Sequence, residues 1–227
     1  MSKKIYKHIP NEKMPSKDDL LTDTIKDLLE EKMQASAMDI NVFCRDGHVN
    51  LSGMVDVLAE KKMAENIVKK IQGPTKIENK ITVAMDHNFT DKHMEKEVIQ
   101  KLLGVSHLSS VGVKIENGVA NLLGYVHTLK DAHNALDVAA SVRGIKDVVN
   151  NISIDSYNKY DDSTVNSYVT QALSTTNLSY KDIAHSVENG KLTLSGYVNN
   201  KNEMEIAKEI SMGVEGVTKV INKLKVR

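Results

Sequence analysis

One short stretch occurs three times in this chain, and three copies at domain-sized spacing leave few ways to fold it. It reads HVNLSGMV at 48–55, VANLLGYV at 119–126 and KLTLSGYV at 191–198. Each copy follows a glycine (Gly47, Gly118, Gly190) and contains another (Gly53, Gly124, Gly196). Successive copies start 71 and 72 residues apart, so the 227 residues divide into three versions of one small unit. Units of this size bury little core, and each should lean on a neighbour, a ligand or a partner.

The residues around each copy supply the rest of the unit. A period-two stretch precedes it: Ile40, Val42 and Cys44; Val111, Val113 and Ile115; Ile183, His185 and Val187. Between the two stretches lie Asp46-Gly47, Asn117-Gly118 and Asn189-Gly190, strong hairpin signals because such turns need positive φ. Val49 and Leu51, Ala120 and Leu122, and Leu192 and Leu194 should point inward, followed by Val55, Val126 and Val198.

Helical spacing runs upstream through Leu21, Ile25, Leu28, Leu29 and Met33, and recurs near 91–103 and 162–173. In this alignment Ile25, Ile99 and Val169 share one position, and Leu29, Leu103 and Leu173 another. A second helix is expected at about 57–71, 128–142 and 200–213, with Ala64, Ala135 and Ala207 aligned on the face that sits close to the sheet. It should end at Gly73, Gly144 or Gly216. KIENKITV, DVVNNISI and KVINKLKV then close each unit as a last strand.

A strand–helix–strand crossover is right-handed and places the last strand parallel to the second. The prediction is an α+β fold of three tandem αββαβ units, each a three-stranded mixed sheet covered on one face by two helices. The expected layout is a flexible N-terminal tail at 1–17 and units at 18–83, 91–155 and 161–227. The tail carries five lysines against one glutamate and suits an acidic surface.

Composition excludes several functions. With 30 basic and 30 acidic residues, the chain lacks the basic excess of a general nucleic-acid binder. Trp is absent and Phe occurs twice, so no stacking platform for single strands is present. The single cysteine, Cys44, cannot form an internal disulfide and falls on an alternating apolar run, where it reads as a small core residue. No apolar run approaches a membrane span, and the N-terminal residues lack the apolar core of a secretory signal. As the chain reads, a cytoplasmic protein is expected, or a periplasmic one if an export signal has been trimmed.

The repeated motifs resemble the BON domain family, known from bacterial osmotic-stress and other envelope-associated proteins. The resemblance rests on LSGMV, LLGYV and LSGYV, on Ala64, Ala135 and Ala207, and on GPTKIEN at 73–79, GIKDVVN at 144–150 and GVTKVIN at 216–222. It implies the same αββαβ fold and a non-catalytic role, associated with membrane phospholipid or with ligand binding. In one subgroup the bound ligand is potassium. The chain departs from common members in carrying three copies and no peptidoglycan-binding module.

No HExxH, CxxC, GxSxG or GxxxxGK[ST] occurs, so an enzyme is not expected, and neither a cofactor nor a metal is implied. Gly47, Gly53, Gly73, Gly118, Gly124, Gly144, Gly190, Gly196 and Gly216 are read as structural, serving turns and helix ends. Asp56, His127 and Asn199 occupy one loop position after the core glycine and are candidates for a ligand loop. Asn79, Asn150 and Asn222 recur in the last strand, where asparagine needs a local reason such as a side-chain bond to nearby backbone. Lys219, Lys223, Lys225 and Arg227 form a basic stripe. Lysines on an edge strand discourage pairing with other chains, and the same stripe could meet an anionic phospholipid surface or a protein partner. The units themselves carry net charges of −3, −1 and 0 in chain order. The expected function is a binding or adaptor protein of the stress or envelope class, with a small-ligand or cation sensor and a protein–protein scaffold as the alternatives.

Overall fold

The structure is a computed structural model and describes residues 15–84, 90–155, 159–176, 178 and 182–227. Most of the expected tail, and most of the short segments between the expected units (85–89 and 156–158), lie outside these residues. Within them the chain is α+β, with three αββαβ units.

Each unit opens on a side-chain cap. Ser16 Oγ accepts the Asp19 N–H at 3.1 Å while the Asp19 carboxylate accepts the Ser16 N–H at 2.9 Å, a reciprocal pair that starts α1 (Lys17–Met33). Thr90 caps α3 (Asp91–Leu103) and Asp161 caps α5 (Asp162–Ser174) in the same way from one side. Next come the hairpins β1 (Ile40–Arg45) with β2 (His48–Val55), β4 (Val111–Glu116) with β5 (Val119–Val126), and β7 (Ile183–Glu188) with β8 (Lys191–Val198). The second helices are α2 (Leu58–Lys70), α4 (Leu129–Ala140) and α6 (Lys201–Met212), followed by β3 (Lys76–Val83), β6 (Asp147–Ile154) and β9 (Lys219–Val226). The middle strand of each sheet is the thrice-repeated stretch, and β6 and β9 run parallel to β5 and β8.

Two glycines per unit have a clear physical cause. At the hairpin turns both residues take positive φ, as at Asn117 (55°) and Gly118 (81°). The glycine inside the repeated stretch prevents a collision. A Cβ on Gly53, Gly124 or Gly196 would lie 1.9, 2.1 or 2.1 Å from the carbonyl oxygen of Asp39, Ser110 or Asp182. The chain entering the first strand therefore crosses directly over the second.

Val49, Leu51 and Val55, and their counterparts in the other repeats, are buried as expected. One detail differs in α3. Val98 and Leu102, both fully buried, take the core positions of Ile25 and Leu29, whereas Ile99 and Leu103 are 37% and 61% exposed. Asp91, at the start of α3, holds the hairpin turn and so sets the rotation of the helix. Val98 lies two turns beyond it on the inward face, and the next residue in the chain points away.

By contacts the chain separates into two units, 1–56 with 60–82, and 57–59 with 83–227. The second holds repeats two and three and takes in Leu58, which is buried in the repeat-two core.

Candidate functional site

Each hairpin turn is clamped by one carboxylate from the first helix of its own repeat. Asp18 accepts the N–H groups of Asp46 (2.7 Å) and Gly47 (3.0 Å). Asp91 does so for Asn117 and Gly118 (2.7 and 3.0 Å), and Asp162 for Asn189 and Gly190 (2.8 and 3.1 Å). The carbonyl of the turn glycine then accepts the N–H of Thr75, Lys146 or Thr218, each at 2.9 Å, just before the last strand. These bonds satisfy the backbone that a ligand would otherwise contact, so the turn glycines join three elements of the fold. Cys44 belongs to the same arrangement: it is buried and its S–H points to Asp18 at 3.3 Å. Burial first, and then the Asp18 carboxylate, raise its pKa above the usual thiol value, so it is poorly disposed to act as a thiolate.

The aligned asparagines are bonded to nearby backbone. Asn222 Oδ1 accepts the Leu224 N–H at 3.1 Å and its amide donates to the Met204 carbonyl at 3.2 Å, tying β9 to α6. Asn79 does the same with Ile81 and Lys61, and Asn150 Oδ1 accepts the Ile152 N–H.

The candidate loop residues sit at the start of the second helix. The Asp56 N–H donates to Glu60, the His127 ring meets Asp155 at 2.9 Å, and the Asn199 N–H donates to Glu203 at 2.9 Å. The Asn199 backbone bond, with its side-chain amide second, holds the Glu203 carboxyl below the usual glutamate range. All three positions therefore engage a local carboxylate. Among the described residues no group of three or more His, Cys, Asp or Glu is placed to hold a metal. No described helix is long and apolar enough to cross a membrane.

The basic stripe proves to be part of a larger surface. On β9, Asn222 faces α6 and Leu224 is buried, so Lys219, Ile221, Lys223 and Lys225 occupy the opposite, helix-free face. The parallel register sets Lys191 beside Lys219, Thr193 beside Ile221, Ser195 beside Lys223 and Tyr197 beside Lys225. Tyr197 is 51% exposed, and all four lysines are exposed. Among the described residues no carboxylate lies in ion-pair range of these lysines. Arg227 differs, because Asp182 holds its guanidinium at 2.6 Å. Lys191 and Tyr197 were absent from the stripe read in the sequence. The signal that places them is strand register, which brings residues about 28 positions apart side by side. The corresponding strand of repeat two, β6, has Asp147, Val149, Asn151 and Ser153 at the equivalent positions. In repeat one Lys80 is paired with Glu78 at 3.3 Å.

The BON domain model matches the chain three times, at residues 17–85, 90–156 and 161–227. Osmotically-inducible protein Y of Escherichia coli is 28% identical over 143 residues, covering 60% of this chain and 71% of that protein. Outer membrane lipoprotein DolP of Haemophilus influenzae is 28% identical over 139 residues, covering 58% of this chain and 72% of that protein. CdsD, a structural protein of the type III secretion system of Chlamydia trachomatis, aligns over 91% of this chain and 92% of its own at 16% identity. Its TM-score of 0.27 is too low to carry any argument. The two sequence relatives do not support the expected cytoplasmic placement, and one of them is by name an outer membrane lipoprotein.

Proposed function

This chain belongs to the BON domain family, and on that premise we propose that it is a non-enzymatic, envelope-linked binding protein whose third repeat docks on anionic phospholipid. The observation that carries this reading is the helix-free face of repeat three, where Lys191, Lys219, Lys223 and Lys225 stand exposed around Tyr197 and Ile221. Each lysine near an anionic surface contributes about 1 kcal/mol, so four acting together amount to roughly 4 kcal/mol at low salt. Tyr197 and Ile221 supply the apolar component that favours a membrane interface over dissolved anions. The names of two relatives, one osmotically inducible and one an outer membrane lipoprotein, support a place in the envelope.

Vesicle co-sedimentation tests the reading. The protein should pellet with vesicles containing phosphatidylglycerol at low salt, dissociate at about 0.5 M salt, where charges are screened beyond about 4 Å, and stay in solution with phosphatidylcholine alone. Failure to bind the anionic vesicles at low salt contradicts it.

A further inference from the structure

Repeat three carries a pocket that docking on lipid leaves unused. Its volume is about 460 Å³, within the usual range for small ligands. Tyr160, beside the Asp161 cap, and Tyr168, on α5, both line it. Their ring centroids are 5.4 Å apart and their planes cross at 83°, so the rings make two adjoining walls. Val214, from the loop that leaves α6, adds a buried apolar surface. Among the described residues that line the pocket, Glu215 alone is charged.

A cation of the chain already sits at the edge of this pocket. Lys159 Nζ stands 5.3 Å from the centre of the Tyr160 ring and 3.9 Å from Glu215 Oε2, which also accepts the Tyr160 hydroxyl at 3.0 Å. Aromatic ring faces attract ammonium groups, and a carboxylate beside them adds to the attraction. The combination belongs to repeat three alone. The positions of Tyr168 and Glu215 hold Thr24 and Gln72 in repeat one, and Glu97 and Arg143 in repeat two. The αββαβ unit forms in those repeats without it, so the fold does not require two tyrosines and a glutamate here.

We propose that this pocket binds a small dissolved alkylammonium cation, held by the Tyr160 and Tyr168 rings and neutralised by the Glu215 carboxylate. Lys159 is a tethered stand-in that competes for the same ring and carboxylate. A hard metal ion is a poor match, because it takes six or more oxygen ligands and one carboxylate supplies few of them. A headgroup of the docked bilayer is out of reach. The pocket is built on the helical layer, whereas Lys191, Lys219, Lys223 and Lys225 stand on the helix-free face.

The test is a titration of labelled protein with tetramethylammonium chloride, against sodium chloride at equal ionic strength. Tetramethylammonium donates no N–H bond, so it reports the ring faces and the charge. Saturable amide shifts should centre on Tyr168, Ala172 and Glu215, and sodium should not produce them. Glu215→Gln and Tyr168→Leu should each weaken binding at least about fivefold. Tyr168 is 39% exposed, so its replacement should leave the fold intact, which circular dichroism checks, whereas Tyr160 packs against the core. Lys159→Met should bind more tightly, because the competing ammonium is gone. Absence of saturable shifts overturns the proposal, as do shifts shared with sodium or binding that survives both pocket substitutions. Weaker binding by Lys159→Met also counts against it. Phosphatidylcholine vesicles should leave the tetramethylammonium affinity unchanged, and competition from them would assign the pocket to a lipid headgroup and overturn the dissolved-cation assignment.

Discussion

Asp91, near the start of α3, lies 2.7 Å from the Asn117 nitrogen and 3.0 Å from that of Gly118, across 26 residues of chain. Asp18 and Asp162 repeat this relationship. A turn with two residues at positive φ leaves adjacent N–H groups pointing the same way, and one carboxylate can accept both. The first helix is thereby docked at a defined rotation on the hairpin. Replacing Asp91 with alanine should cost about 1–2 kcal/mol, the usual worth of bonds to a charged acceptor at a partly exposed site. Chemical denaturation should show a lower midpoint and an unchanged slope.

Acid should weaken the equivalent clamp in repeat one. The backbone N–H of Gly47 first, and then that of Asp46, hold the Asp18 carboxyl below its ordinary value. A group whose folded pKa is depressed stabilises the fold above its unfolded pKa, and that stabilisation is lost as pH falls through the folded value. Melting temperature should therefore drop between the ordinary carboxylate range near pH 4 and lower pH. Asp18→Asn should be less stable at neutral pH and should lose part of this acid dependence. Parallel acid profiles for the two proteins contradict the assignment.

Gly124→Ala should be among the most damaging single changes. Its Cβ would lie 2.1 Å from the Ser110 carbonyl oxygen, which is fixed backbone. The cost should be about 3 kcal/mol or more, from strain at positive φ together with the displaced strand entry. Gly112→Ala, whose Cβ would meet nothing closer than Leu123 at 3.6 Å, is the control and should cost far less. Thermal unfolding of the pair checks the difference.

Asn222→Ala should destabilise repeat three by about 1–2 kcal/mol, because it leaves the Leu224 N–H and the Met204 carbonyl without their partner. Hydrogen exchange should report faster exchange at Leu224 before any global change. Unaltered protection there would mean that the side chain does not hold the strand.

The fold was legible because three copies cross-check one another. The Asn-Gly and Asp-Gly turns, the inward Val and Leu positions and the order of elements all emerge from residue type and period. The rotation of α3 was not legible: Ile99 is as apolar as Val98, and only the contact between Asp91 and the distant turn distinguishes them. The candidate face was half legible. Lys219, Lys223 and Lys225 alternate within one strand, whereas Lys191 and Tyr197 join them through parallel register across a crossover. Arg227 looks equivalent in sequence, but Asp182 already holds it. For Asp56, His127 and Asn199 the sequence showed a shared position without showing that a local carboxylate meets each one.

The most direct test of the binding face is to map it residue by residue. Labelled protein titrated with small bicelles containing phosphatidylglycerol should show amide shifts concentrated at 191–197 and 219–226. Those shifts should vanish when Lys191, Lys219, Lys223 and Lys225 are changed to glutamate, and should not occur with phosphatidylcholine bicelles. Shifts centred on another surface, or none at low salt, would contradict the assignment of this face to anionic lipid.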